Sequence, residues 1–204
     1  MTTHVMDQGA VMEAPVLAEP GAGVYNEKLG MWVFLASEVM FFTSLIGSYI
    51  ILRFAHPEMW KGPGEVLNVA LTAGNTFLLI CSSVTMVKAF AAVQDGDQAG
   101  LRKWLIATVL IGATFVGVQI YEYYKLIEHG FVPSEGLYGS TFYTMTGFHG
   151  FHVTIGVICL AFVTMKAFQG KYTATDHRGV EVVGLYWHFV DLVWIILFTI
   201  VYLI

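Results

Sequence analysis

The amino-acid sequence predicts an all-α, polytopic membrane protein, built as a bundle of five transmembrane helices. Of the 204 residues, 56% are hydrophobic and only 12% are charged, whereas a soluble domain usually carries about 25% charged residues. Five apolar runs each reach the length of about 20 residues that a helix needs to cross a membrane. Their continuous hydrophobicity excludes an outer-membrane β-barrel, because barrel strands alternate polar and apolar positions over segments of about ten residues.

The predicted spans are separated by short segments rich in proline, glycine and charge, as loops between helices are. The spans cover residues 29–52, 66–90, 104–124, 140–165 and 182–204. Residues 1–27 are polar and acidic and lack the apolar stretch of a signal peptide. We therefore expect a flexible N-terminal tail over 1–27 and a five-helix transmembrane domain over 28–204.

The distribution of positive charge predicts the orientation in the membrane. An odd number of spans places the two termini on opposite sides, and seven of the ten Lys and Arg residues fall on the N-terminal side. Because cytoplasmic loops carry the excess of Lys and Arg, the N-terminus is predicted to be cytoplasmic and the C-terminus outside. The formal net charge of −5 offers no basic surface for nucleic acid.

Six titratable residues lie inside the predicted spans, where each is costly unless it is paired or functional. They are Glu38, Glu122, His149, His152, His188 and Asp191. A rise of about 1.5 Å per residue predicts a midplane layer of Glu38, His149 and Asp191. The same rise places His152 and His188 in a second layer nearer the cytoplasm. Glu122 ends the third span where Arg53 leaves the first, which predicts an ion pair between them.

Three interpretations of these polar residues compete: a metal site, a proton relay, and structural hydrogen bonds that fix which helix packs against which. No HExxH or similar ligand spacing occurs, and the outer halves of spans 4 and 5 are mostly apolar. We therefore predict a structural network, with no catalytic residue and no metal. His152 and His188 are interpreted as contacts rather than as a haem site. Glu38 alone is a candidate for a proton or lipid role, because its apolar neighbours favour a neutral carboxyl.

Several motifs, in order along the chain, carry a family resemblance. Residues 36–42 read ASEVMFF, residues 138–142 YGSTF, residues 146–153 TGFHGFHV and residues 186–194 YWHFVDLVW, with His177-x-Gly179-x-Glu181 between the last two. These runs resemble subunit III of the haem-copper respiratory oxidases, cytochrome c oxidase subunit 3, over nearly the whole chain after residue 28. Glu38 matches the intramembrane carboxylate of that family, which reacts with hydrophobic carbodiimides.

The resemblance implies an accessory subunit without a redox centre. Subunit III packs directly beside the catalytic subunit I, which reduces dioxygen and pumps protons; subunit II and further small subunits or a supercomplex are additional expected partners. Haem and copper are then expected in the partner subunits, and a bound phospholipid is expected on this chain. Proton uptake and durability of subunit I are the expected roles. His177, Arg178 and Glu181 are candidates for lipid or subunit contacts on the cytoplasmic side.

The chain departs from the longest members of the family. Those have seven helices, and this sequence is similar to the short five-helix type of bacterial oxidases, which implies the bacterial inner membrane. Ser37-Glu38 is similar to the branch that oxidises cytochrome c. A quinol oxidase or nitric-oxide-reductase-associated homologue is the alternative, and a small independent transporter is a third hypothesis.

Overall fold

The computed structural model describes residues 24–60, 67–134 and 136–203, and five long helices account for most of them. Their bounds are α1 Asn26–Ala55, α2 Val69–Gln94, α3 Gln98–Glu128, α4 Leu137–Phe168 and α5 Arg178–Phe198, the last continued by a π-helical turn, Thr199–Leu203. All five are long and apolar enough to cross a membrane. The prediction of an all-α bundle of five transmembrane helices is therefore confirmed.

Most helix ends extend beyond the apolar runs that predict them, because polar residues form these ends, whereas α2 begins three residues later than predicted. Asn68 caps α2 by accepting the backbone N–H of Leu71. Asp97 caps α3 by accepting the N–H groups of Ala99 and Gly100. Such caps satisfy backbone donors that have no partner within the helix. The predicted tail, 1–27, lies almost wholly outside the described residues, and α1 already begins at Asn26.

The turn between α2 and α3 depends on a glycine. Gly96 has a φ of 78° between α2 and α3, a left-handed conformation that glycine adopts without the steric cost of a side chain. The N–H of Asp97 then returns to the carbonyl of Ala92 at 2.8 Å. The three-residue connection Asp95–Asp97 thus reverses the chain and makes α2 and α3 antiparallel neighbours.

The helices are packed unequally, and α5 lies at the centre. Half of its apolar window is buried, against 6% for α1. Helices α2, α3, α4 and α5 pack in sequence around a core that includes Phe115, Trp187, Trp194 and Tyr202. Helix α1 lies at the periphery of this group and packs against α4 and α5, burying Phe42 and Tyr49. Because α1 buries so few apolar side chains, its polar contacts with the other helices largely determine where it packs.

Candidate functional site: polar contacts between the helices

Glu38 is the polar contact between α1 and α4. Its Oε2 lies 3.1 Å from Nε2 of His152, and both side chains are mostly buried, with 16% and 12% of their surface exposed. The other ring nitrogen of His152 lies 2.7 Å from the carbonyl of Phe148. Phe41 and Phe42 contact the imidazole ring from the side of α1. Aromatic side chains of α1 therefore flank the contact between Glu38 and His152.

Glu38 contacts a residue of the second predicted layer. The sequence placed Glu38 with His149, but the structure pairs it with His152, one turn away on α4. A glutamate side chain reaches several ångströms along the helix, so backbone depth does not determine its partner.

His149 is fully buried and interacts with α5. Its Nε2 donates to the carbonyl of Val190 at 3.2 Å. Its ring stacks on Trp194 with 4.7 Å between the centroids and meets the edge of Phe115. The residue therefore joins three helices in the core.

His188 and Asp191 interact with α2 through a residue that the sequence analysis missed. The hydroxyl of Ser83 lies 3.0 Å from Nδ1 of His188 and donates to the carboxylate of Asp191 in a short hydrogen bond. The two titratable residues are three apart on α5, so one face presents both to Ser83. The result is a hydrogen-bonded chain of imidazole, hydroxyl and carboxylate between α2 and α5.

Glu122 and Arg53 have partners other than those predicted. Oε1 of Glu122 accepts hydrogen bonds from Thr72 at 2.8 Å and from Tyr202 at 3.2 Å. Arg53 lies within 3.5 Å of the Tyr49 hydroxyl and of the carbonyl of Ile200. Glu122 thus links α3 to α2 and to the final turn of the chain, and Arg53 links α1 to that same turn.

Hydroxyl groups of α2 form the rest of the network. Ser82 accepts the indole N–H of Trp187, and Thr76 accepts that of Trp194, each at 2.9 Å. Thr85 pairs with Thr108 of α3 at 2.8 Å. These contacts could have been predicted from the repeated Ser and Thr residues in the otherwise apolar span of α2. A buried indole N–H needs an acceptor, and a hydroxyl group can provide one.

The predicted cytoplasmic contacts form a second anchor for α1. Glu181 accepts from Lys28 at 2.5 Å and from the Tyr25 hydroxyl at 2.8 Å. Burial, and the Glu181 carboxylate, raise the pKa of the Tyr25 phenol. The Arg178 guanidinium lies 5.5 Å from the centre of the Tyr25 ring and 3.7 Å from Asp176. His177 contacts the Phe90 ring.

Two adjoining cavities follow the groove between α1, α4 and α5. The deeper one, about 380 Å³, contains Met31, Phe34, Ile155 and the Glu38–His152 pair. The other, about 540 Å³, reaches the end of the bundle at Lys166 and Arg178. Cys159 and Val183 line both cavities, so together they form one groove that is apolar inside and charged at its mouth.

The arrangement supports hydrogen bonding and proton sharing between helices. Within the described ranges, no three His, Cys, Asp or Glu side chains are grouped so that they could hold a metal ion. The titratable residues instead make separate contacts: Glu38 pairs with His152, and the others bind hydroxyl or carbonyl groups of neighbouring helices.

Comparison with known proteins agrees with the sequence motifs. A family model described as "Cytochrome c oxidase subunit III" matches residues 9–204. The chain belongs to the cytochrome c oxidase subunit III family. It is similar to the "Probable cytochrome c oxidase subunit 3" of Mycobacterium leprae, with 43% identity over 86% of this chain and 87% of the relative. It is also similar to the "Cytochrome c oxidase subunit 3" of Thermostichus vulcanus, with 40% identity over 86% of each chain.

The resemblance drawn from the motifs is therefore confirmed, and a subunit III places the chain in an oxidase complex as a multi-pass membrane protein. Four of the motif residues, Glu38, His152, His188 and Asp191, make contacts between helices, as expected of a subunit whose bundle must keep its shape beside its partners.

Proposed function

We propose that this chain is the non-catalytic accessory subunit III of a proton-pumping terminal oxidase and packs directly against the catalytic subunit I. The observation that carries the proposal is the family match over residues 9–204, which includes every described helix. The polar network supports it, because its members join the helices of the bundle to one another. Dioxygen reduction then belongs to the haem and copper of the partner subunits.

The stabilising role is tested by deleting the chain from the oxidase. The complex without it should keep the haem spectrum of subunit I, because no haem is assigned to this chain. It should lose activity progressively during turnover and take up protons more slowly. Steady turnover and proton pumping equal to those of the complete complex would contradict the proposal.

A bound phospholipid is the second part of the proposal. The groove between α1, α4 and α5 is lined mostly by apolar side chains, and its cytoplasmic mouth holds Lys166 and Arg178 together with Glu27 and Asp176. Basic groups at that level attract the phosphate of a headgroup. Lys166→Gln with Arg178→Gln should lower the phospholipid retained by the purified complex, whereas Lys125→Gln, at the opposite end of the bundle, should not. Equal retention in all variants would contradict this assignment.

Cytochrome c is the proposed electron donor, and a quinol is the alternative. The Ser37-Glu38 pair supports cytochrome c, as do relatives that carry the name cytochrome c oxidase subunit 3. The purified complex should oxidise reduced cytochrome c and contain a dinuclear copper centre in subunit II. Oxidation of quinol alone would decide for the other branch.

The proposed location is the bacterial inner membrane, with the N-terminus in the cytoplasm and the C-terminus outside. The excess of Lys and Arg on the N-terminal side supports this orientation. A tag at the N-terminus should be protected from an impermeant reagent in intact cells, and a tag at the C-terminus should react after the outer membrane is opened. The opposite pattern would reverse the assignment.

A further inference from the structure

Apart from Asp191, whose Oδ1 is unpaired at the contact between α5 and α2, three residues in the described interior of the bundle carry polar atoms without a partner. In the part of the chain that the structure describes, Oδ1 of Asn75 and Nδ1 of His149 have no hydrogen-bond partner, and the Gln119 amide makes no hydrogen bond of normal geometry although it lies close to the Tyr123 hydroxyl. None of these residues is more than 5% exposed. Buried polar groups in proteins are almost always paired, either with other protein atoms or with ordered water.

The three residues come from three helices, and each is a neighbour of Phe115. The amide of Asn75, on α2, donates to the carbonyl of Phe115 on α3 at 3.2 Å. The ring of Phe115 contacts the imidazole of His149 on α4, with 6.1 Å between the centroids. Gln119 follows Phe115 by four residues and therefore lies on the same face of α3. All three residues therefore lie next to Phe115 in the interior of the bundle.

A cavity leads toward this region from the end of the bundle. It has a volume of about 380 Å³ and lies between the start of α2 and the end of α3, on the side predicted to be outside. Asn68, Lys125 and His129 line it near the surface, and Glu122 lines it at depth. Glu122 is only 4% exposed, and Gln119 lies one helical turn further into the bundle on the same face of α3.

We propose that the space between α2, α3 and α4 is a water-binding chamber, walled by Asn75, Gln119 and His149, that opens to the outer surface past Glu122. Water fits this site because it both donates and accepts, as the mixed set of an amide oxygen, an amide nitrogen and an imidazole nitrogen requires. The chamber would bring water close to the middle of the membrane inside this subunit, separately from the groove beside α1.

The chamber is tested by radiolytic footprinting of the full-length chain in the assembly with which it is purified. Side chains beside bound water are oxidised even when they are buried, and ¹⁸O-labelled water identifies the source of the oxygen. After correction for intrinsic side-chain reactivity, Phe115 and His149 should be labelled several-fold faster than Met86. Met86 is equally buried but packs against Gly184, toward the cytoplasmic end of α5. Labelling of Phe115 and His149 no faster than that of Met86 would overturn the proposal.

A pair of matched variants adds a second test. Gln119→Leu removes two polar atoms from the chamber at nearly constant volume and should lower the labelling of His149 several-fold. Gln98→Leu, at the cytoplasmic end where Gln98 donates to the carbonyl of Tyr172, should leave it unchanged. Unchanged labelling in Gln119→Leu would contradict a chamber at this position. The footprint of the unmodified protein decides the matter alone if either variant fails to fold.

Discussion

The side chains of Glu38 and His152 form a polar contact that joins α1 to α4. Nδ1 of His152 lies 2.7 Å from the Phe148 carbonyl, and because a carbonyl only accepts, this nitrogen must be protonated. The 3.1 Å contact between Nε2 and Glu38 therefore uses one further proton, which either partner can hold. The pair is an imidazolium with a carboxylate, or a neutral imidazole with a carboxylic acid.

Glu38→Gln should be a mild substitution if the pair is normally neutral. The glutamine amide can donate to Nε2 of a neutral His152, so α1 should stay in place and the melting temperature of the complex should change little. Glu38→Leu should destabilise the bundle by about 1–3 kcal/mol, because it leaves a mostly buried imidazole nitrogen without a partner. Thermal unfolding of the purified complex compares the two variants.

Proton-uptake kinetics on the same Glu38→Gln complex distinguish a structural from a titrating carboxyl. We expect uptake close to that of the unmodified complex. A large loss of uptake with unchanged thermal stability would show instead that Glu38 changes its protonation state during turnover.

Two glycines should resist substitution because the indole of Trp187 lies against them. A Cβ atom on Gly112 would come within 2.6 Å of this ring, and one on Gly156 within 2.9 Å. Gly112→Ala and Gly156→Ala should each destabilise the bundle by about 1–3 kcal/mol through overpacking. Thermal unfolding, or the amount of chain retained after heating, measures the effect.

Matched controls for these glycines lie on the same helices. Gly117 on α3 and Gly150 on α4 have open space where a Cβ would be placed. Gly117→Ala and Gly150→Ala should be neutral or stabilising, because alanine has the higher helix propensity. A loss of stability equal to that of the Gly112 and Gly156 variants would mean that the ring of Trp187 is not the cause.

The sequence predicts the bundle because length and continuous hydrophobicity define transmembrane helices almost without reference to their partners. It predicts far less about the rotation of each helix, since lipid-facing and interior faces are both apolar and no periodic pattern separates them. Gly117 follows Ala113 by four residues, a spacing of small residues that favours close helix packing. In the structure, however, Gly112 is the glycine that contacts Trp187. The rotation of α3 about its own axis determines which glycine faces Trp187. That rotation depends on how α3 packs against the other helices.

The same limit explains which site residues were identified and which partners were missed. Glu38, His152, His188 and Asp191 stand out because charge is rare at membrane depth. Ser83 does not stand out, because a serine in a transmembrane helix can bond to its own backbone. Whether its hydroxyl serves α2 itself or reaches His188 and Asp191 depends on the approach of α5, which the sequence of α2 does not encode.

Ser82→Ala should destabilise the contact between α2 and α5. Ser82 accepts the indole N–H of fully buried Trp187, so the substitution leaves a donor unpaired, at a cost of about 1–2 kcal/mol in a membrane bundle. Ser44→Ala is the matched control, because the Ser44 hydroxyl is exposed and bonds to the backbone of its own helix. Chemical or thermal unfolding of the two variants should differ. Equal stability would show that the indole finds another acceptor.

The N-terminal end of α1 should open when Glu181 is replaced. Glu181 holds both Lys28 and Tyr25, and α1 is otherwise the least buried helix. Glu181→Leu should weaken this end by about 1 kcal/mol, the upper range for a partly exposed ion pair, and so speed amide hydrogen exchange over residues 24–34 about fivefold. Glu128→Leu removes the exposed pair with Lys125 at the other end of the bundle and should leave that exchange unchanged. Exchange over 24–34 that does not respond to Glu181→Leu would mean that apolar packing alone holds α1 against α5.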